Sequence, residues 1–222
     1  MKIAHAELNR TIEIEPISPC EWVIESPELF AKYIQELLKQ SSGEEGNFVF
    51  SQDEKIIDFS KKGEIILNPL LVDINEKRII NKLYVQLNEL AHTEEFYIKT
   101  QEILHQIHQY IYELEQESRH VLCIDDVIDL SSIFKAAGVQ HEVYEEDFCD
   151  NLCRYIKVIG EVLGIRLVIF VNLRSFLSDG QLSDLIMNVS YEDISLLLIE
   201  SKERSCISGV NRYIIDVDLC EI

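Results

Sequence analysis

The chain has 222 residues, 47% of them apolar, and 20 Lys and Arg against 40 Asp and Glu, for a formal net charge of −20. That apolar content supports a packed core and excludes the disordered class that so high a charge alone would suggest. Spread evenly, the charge would exclude nucleic acid and anionic membrane as partners and favour cations or basic proteins.

Met1 leads into Lys2-Ile3-Ala4-His5, without the apolar stretch of a signal segment. The longest apolar runs, Leu167–Val171 and Leu196–Ile199, are far too short to span a membrane. We therefore expect a cytoplasmic protein whose six cysteines stay reduced. Thr11–Glu15 and Glu21–Glu25 read as strands. Ser26 then caps a helix with Pro27 at its first position, and Leu29, Phe30, Tyr33, Ile34, Leu37 and Leu38 form its apolar stripe. Asn47–Phe50, Lys55–Phe59 and Glu64–Val72 read as strands, with Lys61-Lys62-Gly63 as a hairpin turn between the last two.

Helical periodicity takes over at Glu76–Ala91 and Glu94–Glu117, the second with Phe96, Ile103, Ile107, Ile111 and Leu114 on its inward face. After a short extended run at Val121–Ile124, Asp126 is expected to cap a helix over Val127–Ala137 that ends at Gly138. Another helix is expected over Glu145–Leu163, closed by Gly164. Arg166–Val171, helix Asp179–Val189 and Ile194–Ile199 form a strand–helix–strand unit of the parallel type, and Tyr213–Leu219 alternates. The order predicts an α/β head with parallel strands, residues 1–75 and 161–222, interrupted by a helical leg at 76–160.

The charge is not evenly spread. Residues 1–54 carry −7, 55–82 carry +2, 83–150 carry −12 and 151–222 carry −3. The positive window holds Lys55, Lys61, Lys62, Lys77, Arg78 and Lys82. A turn and a helix face that are both positive in so acidic a protein suit a phosphate track, although lone lysines are commonly solubilising.

The acidic window holds Glu113, Glu115 and Glu117 at the end of one helix, and Asp125, Asp126 and Asp129 at the start of the next. Clustered hard oxygens suit calcium. The same aspartates could equally cap a helix while the glutamates face water, and the residues alone leave both readings open. No EF-hand loop is present. Cys149 and Cys153, four apart on a helix, lack a second pair and read as buried, inert thiols rather than zinc ligands. His105 and His108 near Glu102 read as polar decoration of a long helix.

An α/β head invites a test for nucleotide binding. The chain has no G-x-x-x-x-G-K-[ST], Ser26-Pro27-Glu28 follows the second strand, and Leu167–Val171 ends in Asn172 rather than a magnesium-holding acid. We expect no nucleotide site.

Leu167-Val168-Ile169-Phe170-Val171-Asn172, then Phe176-Leu177 and Ile194–Glu200, carry a resemblance to a known family. Lys62-Gly63-Glu64-Ile65-Ile66-Leu67-Asn68-Pro69-Leu70 before a basic helix, and Ala137-Gly138-Val139-Gln140-His141-Glu142, add to it. In this order the segments resemble the type II-A CRISPR-associated adaptation proteins of the Csn2 family, across essentially the whole chain at low identity. The resemblance implies a head related to P-loop ATPases without a working nucleotide site, and a helical leg inserted in it. It implies a ring-shaped homotetramer that binds double-stranded DNA ends in a central hole lined by lysines. Calcium held by carboxylates near the head–leg junction would support the ring. The role implied is spacer acquisition beside the integrase proteins and the effector nuclease. Carried over by position, Glu115, Glu117, Asp125 and Asp126 are the expected calcium ligands, with Glu142 in reserve. Arg119, His120 and Cys123 stand where the family has acidic residues. The DNA-facing cations are chosen by local charge, not by motif.

The expectation is thus a non-enzymatic, calcium-dependent, sequence-independent DNA-end-binding ring. One alternative is a metal-dependent nuclease using the same carboxylates in a two-metal arrangement. The other is a protein-only scaffold of the adaptation complex.

Overall fold

Apolar strands without alternation must be covered on both faces, and the runs around residues 20, 167 and 195 become the middle of a parallel sheet. The computed structural model describes residues 1–15, 18–144 and 147–222. The chain divides into two units, one joining Met1–Ile74 with Tyr144–Ile222, the other formed by Asn75–Val143.

The first unit opens with β1 (Lys2–Ala4), β2 (Ile12–Glu13), β3 (Cys20–Ile24), α1 (Pro27–Ser41), β4 (Val49–Gln52), β5 (Lys55–Ile56), α2 (Phe59–Lys62) and β6 (Gly63–Ile66). The second unit carries α3 (Lys77–Ala91), α4 (Tyr97–Glu117) and α5 (Leu130–Ala136). The first unit resumes with α6 (Phe148–Val158), β7 (Leu167–Val171), α7 (Asp179–Val189), β8 (Ser195–Glu200) and β9 (Asn211–Ile215).

The large sheet has the order β6-β7-β8-β3-β9, and every neighbouring pair is parallel. A smaller antiparallel sheet runs β2-β1-β4-β5. Alternation sends Cys20, Trp22, Ile24, Leu167, Ile169, Val171, Leu197 and Ile199 to one face. They share a core with Tyr33, Ile34 and Leu37 of α1 and with Ile3, Phe48 and Phe50. Trp22 and Tyr33 lie 5.4 Å apart, and Phe50 stacks on Phe59 at 4.2 Å between ring centres. The opposite face (Val23, Val168, Phe170, Leu196, Leu198) is equally buried, as are Leu152 and Ile156 of α6 and Leu182 and Leu185 of α7.

Ser26 caps α1, with its hydroxyl accepting from the Leu29 N–H and Pro27 at the first position, as the sequence predicts. Helix α7 matches the predicted Asp179–Val189 and is closed by a Ser178–Gln181 capping box. Elsewhere local competition changes the outcome. Lys61-Lys62-Gly63 is not a hairpin turn. Asp58 caps a helical turn there, and β6 leaves the small sheet to pair with β7. Gly63 has an extended φ of −111° and is required for space, because a Cβ would lie 1.9 Å from the Phe59 ring.

Asp126 does not cap the following helix. Asp129 does, and α5 begins at Leu130. Val121–Ile124 forms no strand. Helix α6 begins at Phe148 under an Asp147 cap, continues as a π-helix over Ile159–Leu163, and ends at Gly164 with φ +71°. The predicted start at Glu145 lies outside the described residues. Periodicity places α6 in the helical leg, but its buried face packs on α7 in the first unit.

In the second unit Tyr84 donates to the Val139 carbonyl at 2.9 Å, and Asn75 and His141 exchange hydrogen bonds of 2.8 and 3.0 Å. The predicted inward stripe of α4 is only partly covered: Phe96, Ile103 and Leu114 are exposed.

The β4–β5 hairpin turns on Asp53 and Glu54, with φ values of +49° and +62°. A two-residue turn of this hand favours glycine at its second position. Glu54→Gly should raise Tm by about 2–4 °C; an unchanged or lower Tm in a thermal melt would contradict this reading of the turn.

Candidate nucleic-acid and metal-binding residues

The six basic residues of the positive window are all exposed, with Lys55, Lys61 and Lys62 on the first unit and Lys77, Arg78 and Lys82 on the second. Lys61 and Lys62 ride on α2. Lys61 pairs with Asp58 at 2.8 Å, and the Lys62 amine donates to the Gly164 carbonyl at 3.2 Å. The Lys61 and Ser60 contacts hold the Asp58 carboxyl below its usual range, so this pair is ionised at neutral pH. On α3, Arg78 Nε contacts Glu76 at 2.6 Å. Lys55, Lys77 and Lys82 have no side-chain partner among the described residues. Their charge is open to a diffusing anion.

The acidic residues lie in the second unit. Glu115 Oε1 accepts the Leu122 N–H at 2.9 Å. Asp125 presents its backbone carbonyl to His108 Nε2 at 3.0 Å. Asp126 lines a groove of about 520 Å³ with His92, His105 and His108. Glu117 ends α4. Asp129 accepts from the Ser131 and Ser132 N–H groups and the Ser132 hydroxyl, which hold its carboxyl below the usual range. Among the described residues no group of three or more His, Cys, Asp or Glu side chains is arranged to hold a metal ion. The donors of Glu115, Glu117, Asp125 and Asp126 suit calcium chemically, but one copy of the chain does not gather them into a closed site.

Burial pushes the Cys149 thiol up to about 12, and Cys153 also rises.

In an open α/β sheet, ligands bind beyond the carboxyl ends of the strands where the strand order reverses. Here β3 lies between β8 and β9, and Glu25-Ser26 leads from it directly into α1. No glycine stands in that loop, and the Ser26 hydroxyl occupies the Leu29 N–H. Asn172, after β7, has φ +56°, and its Oδ1 accepts from the Ser201 N–H and hydroxyl at 2.9 Å each.

Beside these loops lies a charged network that the motifs did not reveal. Glu21 of β3 is 1% exposed, Arg174 after β7 is 2% and Glu200 of β8 is 2%. Arg174 donates to Glu21 at 2.7 Å and to Asp179 at 2.7 Å, and Arg212 reaches the other Glu21 oxygen through Nε at 2.7 Å. Glu200 accepts the Arg174 backbone N–H at 3.0 Å. The sequence signal for this network is a carboxylate inside an otherwise apolar strand, as at Glu21 and Glu200, since a buried charge must find a partner.

A family model described as CRISPR-associated protein (Cas_Csn2) matches residues 40–219. No curated protein matches the chain. Among solved structures, the chain is similar to one described as an ABC transporter ATP-binding protein from Pyrococcus furiosus, at 10% identity, over 96% of this chain and 94% of that one, with a TM-score of 0.37. That score is too low to carry an argument. Among the described residues no helix is long and apolar enough to cross a membrane.

Burial raises the Glu200 pKa above the ordinary carboxylate value. From the ordinary value up to the raised one, the folded chain holds more protons than the unfolded chain, so stability falls as pH rises through that window. Glu200→Gln keeps an acceptor for Arg174 and removes the charge. It should raise Tm by about 2–4 °C near pH 7, and the gain should vanish near pH 4. A gain of equal size at both pH values, or none at pH 7, would contradict the assignment.

Proposed function

The chain belongs to the CRISPR-associated Csn2 family, and from that membership we propose that it binds double-stranded DNA ends, without sequence preference, during spacer acquisition. The match over residues 40–219 is the observation that carries this reading, because it ties the chain to a CRISPR-associated family. The six exposed cations in residues 55–82 support the choice of ligand, since phosphate contacts position a protein on DNA without reading bases. The protein is proposed to be non-enzymatic and cytoplasmic, and to act beside the integrase proteins and the effector nuclease. Its α/β unit is proposed to be of the P-loop-ATPase type without a nucleotide site, in keeping with the glycine-free loop after β3.

The assembly is proposed to be a homotetrameric ring. The exposed apolar side chains of α4, among them Ile98, Ile103 and Leu114, favour association with further copies. Calcium would supply counter-charge in that assembly. Glu115, Glu117, Asp125 and Asp126 would hold it, completed by a neighbouring copy or by water. This chain's own part is to present hard oxygens in an acidic segment that repels itself when the cation is withdrawn.

If the six cations each meet a phosphate, log K for a linear duplex should fall against log salt with a slope of about −5. Lys55→Ala, Lys77→Ala and Lys82→Ala combined should flatten that slope by about 3. Incubation of the duplex with magnesium or manganese should leave it uncut. Salt-independent binding, or a slope unmoved by the triple variant, would overturn the phosphate track; cleavage would establish the two-metal alternative.

A further inference from the structure

The helical unit contains a second groove, of about 610 Å³, walled by α3 on one side and by α5 with the segment after it on the other. It is lined by Lys77 and Asn81 of α3, Ser131 and Lys135 of α5, and Gln140. The Lys77, Asn81, Lys135 and Gln140 side chains have no hydrogen-bond or ion-pair partner among the described residues, while the Ser131 hydroxyl is engaged by Asp129. We propose that this groove is a phosphate-binding site, with Lys77 and Lys135 as its two charged ligands and the Asn81 and Gln140 amides as neutral donors.

The charge distribution makes the groove unusual for its surroundings. Residues 75–143 hold six basic and twelve acidic residues, a net −6, yet two of the six cations line this one groove. The single carboxylate in its lining, Asp129, is turned to helix capping: one oxygen accepts the Ser131 N–H at 3.1 Å and the other the Ser132 N–H at 2.9 Å. The groove is therefore net positive and rich in unused donors, the combination that suits an anion with several acceptor oxygens.

Its walls are also set in advance. The paired hydrogen bonds between Asn75 and His141, and the bond from Tyr84 to the Val139 carbonyl, hold the 138–141 segment against α3. Gly138 turns that segment at φ +66°. The backbone that carries the donors is thus held in place, and an anion would order only their side chains on binding.

The proposal deepens the DNA-binding reading and rests on it for the source of the phosphate, a phosphodiester of the DNA backbone. Lys135 is its distinguishing residue, because it lies outside the positive window of residues 55–82. In anisotropy titrations of a linear duplex, Lys135→Ala should weaken binding about three- to tenfold and flatten the salt slope by about 1. Lys135→Arg should restore both, and melting curves should show all variants folded. Unchanged affinity and slope in Lys135→Ala, while the wild-type chain binds, would overturn the groove and leave the DNA reading standing. If the wild-type chain does not bind duplex, the DNA reading fails by itself, and titration with inorganic phosphate followed by amide chemical shifts decides the groove. Saturable shifts around residues 77 and 135 that are lost in Lys135→Ala support a site for a free phosphate group; their absence overturns it.

Discussion

The carboxylate of Glu21 sits in an interior strand of a parallel sheet whose two faces are both covered, and the α/β unit is organised around keeping it paired. An isolated carboxylate there would cost several kcal/mol. Arg174 descends from the loop after β7 to one oxygen, and Arg212, directly across from Glu21 on β9, takes the other. Through Arg174 the same network engages Asp179 at the start of α7 and the hydroxyl of Ser205. Arg212 also donates to the carbonyls of Arg204 and Ser205 at 2.9 Å. Three strands, one helix and the loop before β9 thus share one set of charges. Beside the strand ends where α/β sheets often present ligand sites, this chain places arginines already engaged by its own carboxylates.

The proposed ligand would be met instead through surface electrostatics. The net charge of −20 describes the chain poorly in this respect. A diffusing polyanion meets local fields, screened beyond about 8–10 Å at ordinary salt. Exposed lysines on the α/β unit and on α3 can therefore act as local attractive surfaces despite the net charge. In the proposed assembly, the same acidity that opposes DNA in bulk would call for divalent cations between crowded copies.

Much of the α/β unit was legible in the sequence because its signals are local and strong. Ser26-Pro27 marks a helix start, and continuous apolar runs mark buried strands. The errors arose where two plausible local signals competed. Asp126 and Asp129 could each cap a helix, and the hydroxyls of the residues after Asp129 decided between them. Lys61-Lys62-Gly63 has the composition of a turn, but the Asp58 cap and the Phe59 ring over Gly63 turned it into a helix-to-strand step. Periodicity identified α6 as a helix without identifying its partner, since an amphipathic face does not name what it packs on. The basic residues were legible as charge. Lys135 was not, because its companion Lys77 is 58 residues away in sequence and only the fold of the helical unit brings the two to one groove.

A cation-dependent assembly that encircles DNA ends must hold linear duplex and release it when the cation is withdrawn. Sedimentation of the full chain with linear and with covalently closed circular duplex, each with calcium and with chelator, tests it most directly. The account predicts a mass near four chains in calcium, co-sedimentation with linear DNA but not with closed circles, and loss of both the assembly and the complex in chelator. A single-chain mass in calcium, or equal binding to linear and circular DNA, would contradict it.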